Sequence, residues 1–384
     1  MRVARKQEGN NRMTRPLVAE IDLDALCHNY GLARDLAGES RAVAVIKADA
    51  YGHGAVACAC ALESLPDSRR PPAFAVACLE EAEALREGGI TTPIMLLEGI
   101  FEASELARVE ALGLWLTLHS NWQLEALLAY RPAKPIPVWL KVDSGMHRLG
   151  FAPEEVPAVW QRLLAAPECA ADLHLMSHFA TADATDSGYF ERQLATMQRL
   201  AQQLDAPLSL ANSPATLARP AAHGNWVRPG VMLYGSDPLE RVNAASRQLQ
   251  PVMTLRSEII AVRDLPVGEP VGYAGRWQAP RPSRIAVVAC GYGDGYDRHA
   301  VDGTPVLVNG QRAVIAGKVS MDMLTVDITD LPAADIGSEV VLWGRAANGE
   351  ELCVDEVARY CDTISYTLLT GILPRVPRRY LQRP

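Results

Sequence analysis

The chain is predicted to be an α/β protein: an N-terminal (β/α)8 barrel over residues 17–247, then a mostly β C-terminal domain over 248–384. Residues 1–16 are expected to form a disordered extension. Three observations carry this. Short apolar runs alternate with helical patterns from Val18 to Tyr234, as a parallel sheet with crossover helices requires. Near Arg247 the helical patterns give way to β-rich runs separated by turns such as Asn309-Gly310. Polar residues also recur just beyond the ends of the early apolar runs, on the face of a barrel where active sites are built.

Taken in order, Ile21–Asp24 leads into a helix over Ala25–Ala37, with Asp22 or Asp24 as N-cap. Ala42–Ile46, five small or β-branched apolar residues, reads as a strand buried on both faces. A helix over Ala55–Leu65, a strand at Phe74–Ala77 and an acidic helix over Glu80–Glu87 follow, the last stopped by Gly88-Gly89. Strands at Ile94–Leu97, Leu114–Leu118, Val138–Val142, Leu173–Ser177 and Leu208–Leu210 alternate with helices over Ser104–Ala111, Trp122–Ala129, Pro153–Leu164 and Tyr189–Gln203. Val231–Tyr234 reads as the last strand of the series. Beyond it, Pro251–Val262, Arg284–Ala289, Val306–Val308, Ala313–Ala316, Leu324–Ile328 and Glu339–Leu342 read as strands, and only Val354–Tyr360 reads as helical.

Bulk properties narrow the function. A chain of 384 residues, 49% hydrophobic and 21% charged, has core enough for two globular domains. A net charge of −8 argues against a nucleic-acid or anionic-membrane partner. None of the 8 cysteines is paired at the two-residue spacing of a zinc knuckle or redox motif, so buried, reduced thiols and a cytoplasmic location are expected, and no metal site. The basic, polar start MRVARKQEGNNRMTRP has no apolar core of a secretory signal. No run approaches the roughly 18 apolar residues of a membrane span.

Lys47 is the most informative position. It closes the Ala42–Ile46 strand and precedes Gly52-His53-Gly54. An amine at the end of a buried strand is desolvated, which lowers its pKa and frees its lone pair for Schiff-base chemistry. Lys141 and Arg148 bracket LKVDSGMHRLG after another strand, His178 follows Leu173–Ser177, Asn212-Ser213 follow Leu208–Leu210, and Arg228-Pro229-Gly230 immediately precede Val231. Five such positions converging on one rim are harder to dismiss than any one of them.

The string AVIKADAYGHG closely resembles the pyridoxal 5′-phosphate (PLP) lysine motif of bacterial alanine racemases. LKVDSGMHRLGF, MSHFATAD, ANSPA, WVRPGVMLYG, VGYAGRW, GYGDGY, GKVSMDMLTVDIT and LPRVPRRY extend the likeness from about Arg15 to Tyr380, closest to the proteobacterial enzymes. The resemblance implies a PLP-dependent isomerase that interconverts L- and D-alanine, for peptidoglycan supply or for D-alanine catabolism. It implies Lys47 as the Schiff-base residue and base on one face, and Tyr273 of the partner subunit as the base on the other, helped through His178 and Arg228. A tyrosine with a pKa near 10 needs such cationic help. Tyr51, Ser213, Gly230, Val231 and Tyr366 are implied at the cofactor phosphate, Asn212 beside them, Arg228 at the pyridine nitrogen and Arg148 at the phenolic oxygen. Arg228 keeps its proton, so the ring nitrogen stays unprotonated. Lys141 is implied to carry a carbamate that positions Arg148. Tyr292, Met321 and Asp322, with Arg148, are implied at the substrate, and the active unit as a head-to-tail homodimer with shared sites.

The chain departs from the family at Ala274-Gly275, where Gly-Ala is common, at Gly293, where Ala is usual, and at Ser209, where some relatives carry a histidine against the pyridine-side arginine. These touch positioning and substrate width. The alternatives are a broad-specificity amino-acid racemase and, further off, a non-enzymatic PLP carrier, which lacks the domain that bears Tyr273.

Overall fold

The computed structural model describes residues 14–184 and 188–381. The expected extension over 1–16 therefore lies outside the described residues as far as residue 13. The chain forms two compact units. One comprises Ile21–Met253, Ile364–Gly371 and the described residues from Tyr380; the other comprises the described residues up to Glu20, Thr254–Thr363 and Ile372–Arg379.

The first unit is a closed parallel barrel. Arg41–Ala42 and Ala44–Val45 act as one strand, joined in turn by Phe74–Val76, Ile94–Leu96, Leu114–Leu118, Ile136–Lys141, Ala170–Met176, Leu208–Ser209 and Trp226–Val227, which pairs back to Arg41–Ala42. That makes eight strands, every pairing parallel. Ala42–Ile46 is buried throughout, as a strand covered on both faces must be. A Trp and His stack fills part of the core, with Trp139 4.3 Å from His174 and 5.3 Å from Trp226 between ring centres. The first helix, Leu23–Ala37, begins as expected, the Asp22 carboxylate accepting from the Ala25 N–H at 2.9 Å.

Two expectations are corrected. Val231–Tyr234 is a 3-10 turn, and the last barrel strand is Trp226–Val227. An apolar run of four residues buried on all sides cannot be told from a strand by pattern alone. Arg228-Pro229-Gly230 therefore follow the final strand, at its C-terminal end, instead of preceding it. In addition, Ser365–Thr370 is helical and belongs to the barrel unit. Its SYTLLT segment holds only two leucines, too few to show a helical stripe.

The second unit is β-rich, as expected. Met253–Leu265, Ser283–Val288, Leu324–Asp327, Gln311–Ile315, Pro305–Val308 and Glu339–Arg345 pair antiparallel in that order, and the last returns to the first, closing a six-stranded barrel. Closure removes the exposed edges that an open sheet of this size would present. The helix Val354–Tyr360 lies where the sequence places it.

Beyond Ile46 the barrel chain does something rare. Ala48, Asp49, Ala50 and Tyr51 all have φ of 52–53°. For residues with a Cβ this left-handed backbone costs roughly 1–2 kcal/mol each. Glu81 opposes the cost, accepting from the Ala48 N–H and the Ala77 N–H, both at 2.7 Å. Asp49 caps the next helix through the Ala55 N–H at 2.7 Å. Gly52 (φ 83°) then passes so close to the Leu369 carbonyl that a Cβ would sit 2.3 Å from its oxygen.

Ala48 is exposed, so its backbone strain can be tested without disturbing packing. Ala48→Gly is expected to stabilise the protein by about 0.5–1 kcal/mol, the opposite of its effect in a right-handed helix. The midpoint of chemical denaturation measures this, and a loss of about 1 kcal/mol would contradict the left-handed turn.

Candidate active site

The C-terminal ends of the barrel strands open onto a cavity of about 600 Å³. Lys47, Tyr51, Lys141, Arg148, His178, Asn212, Ser213, Arg228, Gly230, Val231 and Tyr366 all line it. Every site residue expected from the barrel is thus brought to one place, each from the end of a strand or the segment that follows it, except Tyr366, which comes from the helix Ser365–Thr370. Tyr273, Tyr292, Met321 and Asp322 belong to the second unit. Tyr273 and Met321 are 67% and 54% exposed there.

Four of the lining side chains are cations, Lys47, Lys141, Arg148 and Arg228, against one lining carboxylate, Glu98. Burial lowers the pKa of Lys47 below its usual value; Glu98 pulls it back up, and Arg148 adds to the lowering. Burial together with Arg228 and Arg148 brings Lys141 down to about 8. His178 falls to about 3, chiefly by burial and then by the cations around it, so its imidazole is neutral at pH 7. Burial lowers Arg228 to about 10, still protonated.

Arg228 is held rigidly. One terminal nitrogen donates to the Ser209 carbonyl at 2.7 Å and the Ser209 hydroxyl at 2.5 Å, and the other donates to the Ser177 carbonyl at 2.6 Å. A guanidinium has five N–H groups, so donors remain for a ligand. Ser209 thus stands against this arginine, as its position in the sequence suggested. The Asn212 oxygen caps the Ala215 N–H at 3.2 Å, which leaves its amide nitrogen 3.5 Å from His178 Nε2.

A cluster of donors forms at Ser213. Its hydroxyl oxygen accepts from the Gly230 N–H at 2.8 Å and the Met232 N–H at 3.3 Å, so its proton is available to donate. A Cβ on Gly230 would lie 2.5 Å from the Tyr51 hydroxyl, so only glycine lets that hydroxyl in. Tyr51 is stacked on Tyr234 with ring centres 4.8 Å apart, and Tyr366 lies 6.0 Å away. Burial pushes Tyr51 up to about 12, so it keeps its proton as a donor. Neutral donors, small residues and surrounding cations are the chemistry of a phosphate cradle.

The loop that carries Arg148 is braced by Gln193, a fully buried side chain. Its amide donates to the Ser144 hydroxyl and the His178 carbonyl, each at 3.2 Å, and accepts from the Ala180 N–H at 3.0 Å. Sequence reasoning passed over Gln193 and Glu98. Glu98 was within reach, since it follows Ile94–Leu96 as the other rim residues follow their strands; Gln193 lies inside an amphipathic helix and carries no such signal. Among the described residues no group of three or more His, Cys, Asp or Glu is arranged to hold a metal ion. No described helix is long and apolar enough to cross a membrane. All eight cysteines are free, and Cys60 and Cys353 are exposed, which corrects the expectation of uniformly buried thiols.

A closed parallel barrel with a lysine of lowered pKa and a cation-rich rim at its C-terminal mouth defines a barrel enzyme. Residues 21–238 match the alanine racemase N-terminal domain family, and residues 252–380 match the alanine racemase C-terminal domain family. An alanine racemase of Chromohalobacter salexigens is 71% identical over 368 residues, 96% of this chain and 98% of that one. The biosynthetic alanine racemase of Pseudomonas aeruginosa superposes with a TM-score of 0.90 at 50% identity, covering 96% of this chain and all of that one. An alanine racemase of Bartonella henselae, solved with covalently bound pyridoxal phosphate, superposes with a TM-score of 0.83 at 30% identity over 95% of this chain and 99% of its own. The chain belongs to the alanine racemase family.

The crowding of Lys141 has a measurable consequence. Below about pH 8 its ammonium is charged in both folded and unfolded chains, so the folded state carries the whole penalty. Between about 8 and 10.5 the folded chain loses the proton first and the penalty fades. In bicarbonate-free buffer Lys141→Met should therefore stabilise the protein at pH 7 by on the order of 3 kcal/mol, the gap closing towards pH 10.5. Denaturation midpoints across pH measure this, and a gap that widens with pH would contradict it.

Proposed function

We propose that this chain interconverts L-alanine and D-alanine with PLP bound in the barrel cavity and attached to Lys47. The observation that carries the reading is the cation-rich rim around a lowered-pKa lysine, with a donor cradle at Ser213 and Gly230 beside it. The residues suit this cofactor. Tyr51, Ser213, Tyr366 and the backbone at Gly230 and Val231 would hold the phosphate; Arg228 would face the pyridine nitrogen and Arg148 the phenolic oxygen, with Asn212 and His178 flanking the ring. When bound, PLP delocalises the electron pair left on the substrate's α-carbon after its proton departs.

The protein then has to deliver and remove protons on both sides of a planar carbon. Lys47, its pKa lowered by desolvation, is the base for the D-enantiomer. Tyr273, supplied by a partner subunit, is the base for the L-enantiomer, with His178 and Arg228 completing a polar chain to it. Arg228 does not give up a proton at neutral pH, so it would face the ring nitrogen without protonating it, and the cofactor would supply a weaker electron sink than a protonated ring would. The high exposure of Tyr273 and Met321 suits residues that cover a partner's barrel and exclude water. A two-fold homodimer would then hold two equivalent shared sites. Tyr292 and Met321, with Asp322 and Arg148, would receive the substrate.

Lys141 would carry a carbamate. Its pKa of about 8 leaves part of the amine neutral at pH 7 and able to take up CO2, and the anion formed would offset Arg148 and Arg228. Adding bicarbonate to the stability comparison above should then shrink the advantage of Lys141→Met; an unchanged advantage would count against the carbamate. The cytoplasm, with D-alanine made for the cell wall or broken down, is the proposed setting.

The decisive experiment follows proton exchange into each enantiomer of alanine in deuterated solvent. Tyr273→Phe should suppress exchange from L-alanine more than from D-alanine, and Lys47→Ala with an added amine should do the reverse, each by about 10²-fold or more on its own face. Mixing the two inactive variants and allowing subunit exchange should restore activity. Equal loss from both enantiomers in each variant, or mixed dimers that stay inactive, would overturn the two-base shared-site reading. An activity panel in which other amino acids match alanine would favour the broad-specificity alternative.

A further inference from the structure

In the second unit a carboxylate sits fully buried between two arginines. The Asp294 side chain is 0% exposed. Arg15 grips it through both terminal nitrogens, one of them at 2.8 Å, and Arg375 donates to it at 2.6 Å. Its second oxygen accepts from the Gly291 N–H at 2.9 Å. Burial alone would raise the Asp294 pKa, but hydrogen bonds from both arginines and the backbone outweigh it and hold the group ionised.

The same two arginines reach a second segment. Arg15 donates to the Asp322 carbonyl at 2.7 Å, and Arg375 to the Asp322 carboxylate at 2.6 Å. That segment is sewn to the Asp294 turn by the backbone: the Tyr292 N–H donates to the Ser320 carbonyl at 3.0 Å and the Gly293 N–H to the Met321 carbonyl at 2.8 Å. The packing leaves no slack. A Cβ on Gly293 would lie 3.0 Å from the Met321 carbonyl oxygen and 3.2 Å from the Arg375 guanidinium. Glycine at this position thus has a local reason. Two guanidiniums and two carboxylates balance in charge, and together they fix the loops bearing Tyr292 and Met321 to one another.

We propose that Asp294, clamped by Arg15 and Arg375, is the positioning residue that sets the spacing of Tyr292 and Met321 and thereby the affinity of the site for its small amino-acid substrate. This rests on the reading above that Tyr292 and Met321 receive the substrate. Asp294 touches no reacting atom; it acts through the two loops. Surface ion pairs contribute little, but a buried carboxylate with four hydrogen bonds cannot be neutralised without its partners moving.

The test is Asp294→Asn in the PLP-loaded enzyme, which keeps the shape and the Gly291 bond but removes the charge. A loosened gate weakens binding in ground and transition states alike, so KM for alanine should rise by about tenfold with kcat within about twofold. Arg15→Met, at a partly exposed side chain, should shift KM in the same direction and serves if Asp294→Asn does not fold. A merely structural role would reduce kcat or yield without moving KM, and that result, or wild-type KM in both variants, overturns the proposal. Wild-type protein that neither yellows with PLP nor racemises alanine would instead overturn the reading of the site, and the proposal with it.

Discussion

Four cationic side chains, Lys47, Lys141, Arg148 and Arg228, line one cavity with only Glu98 to offset them, and two of them, Lys141 and Arg228, are buried where water relieves little of the repulsion. Burial lowers Lys47 and, with the neighbouring cations, brings Lys141 to about 8; burial, aided by the same cations, holds His178 neutral. The mutual repulsion is the functional property of the site. Added to burial, it lowers the pKa of Lys47, and it favours an occupant that carries negative charge. A phosphate, a phenolate and a carboxylate meet that preference together. The charge-balanced Asp294 cluster in the second unit has the opposite design: there the pairing is complete, and rigidity is what results.

The barrel makes the crowding tolerable because Arg228 and the loops that carry the other charged groups are held in place. Three hydrogen bonds from Arg228 end on Ser209 and Ser177, residues at or just past the ends of neighbouring strands. Gln193 ties the Arg148 loop to the His178 loop from the helix beneath. Lys47 is followed by a run of left-handed residues, Ala48 to Tyr51, whose strain is sustained by Glu81 and Asp49. Strained backbone of this kind persists where the surroundings over-determine it, and it aims a side chain that a regular helix would turn elsewhere. The glycines that follow are spaced for close approach, not for flexibility: Gly52 meets the backbone of Ser365–Thr370 and so brings Tyr366 to the cavity.

Much of this was legible in the sequence because barrel geometry converts strand ends into a site. Ala42–Ile46 declared itself by small and β-branched residues, and Leu114–Leu118 by its boundaries, so Lys47 and its neighbours could be placed on one rim by counting strands. Tyr51, Tyr366 and the second-unit residues came from family likeness instead, since nothing in their local pattern separates a phosphate donor from a core tyrosine. The failures have local causes. Val231–Tyr234 is as apolar as a strand but is a 3-10 turn packed on all sides, which hid the true last strand at Trp226–Val227. Ser365–Thr370 was too short to show a period. The left-handed turn was invisible because Ala48, Asp49 and Ala50 carry no mark of positive φ, and the Asp294 cluster because its four members are scattered from Arg15 to Arg375.

Lys47, half-buried, and Lys141, buried, share this rim, and the carbonyl chemistry is proposed for Lys47 alone. The measurement that tests it most directly is borohydride reduction of the PLP-loaded protein followed by peptide mapping of the fixed label. The reduced pyridoxyl group is expected on Lys47, with Lys141 unlabelled. A label on Lys141, or on a lysine away from the cavity, would contradict it.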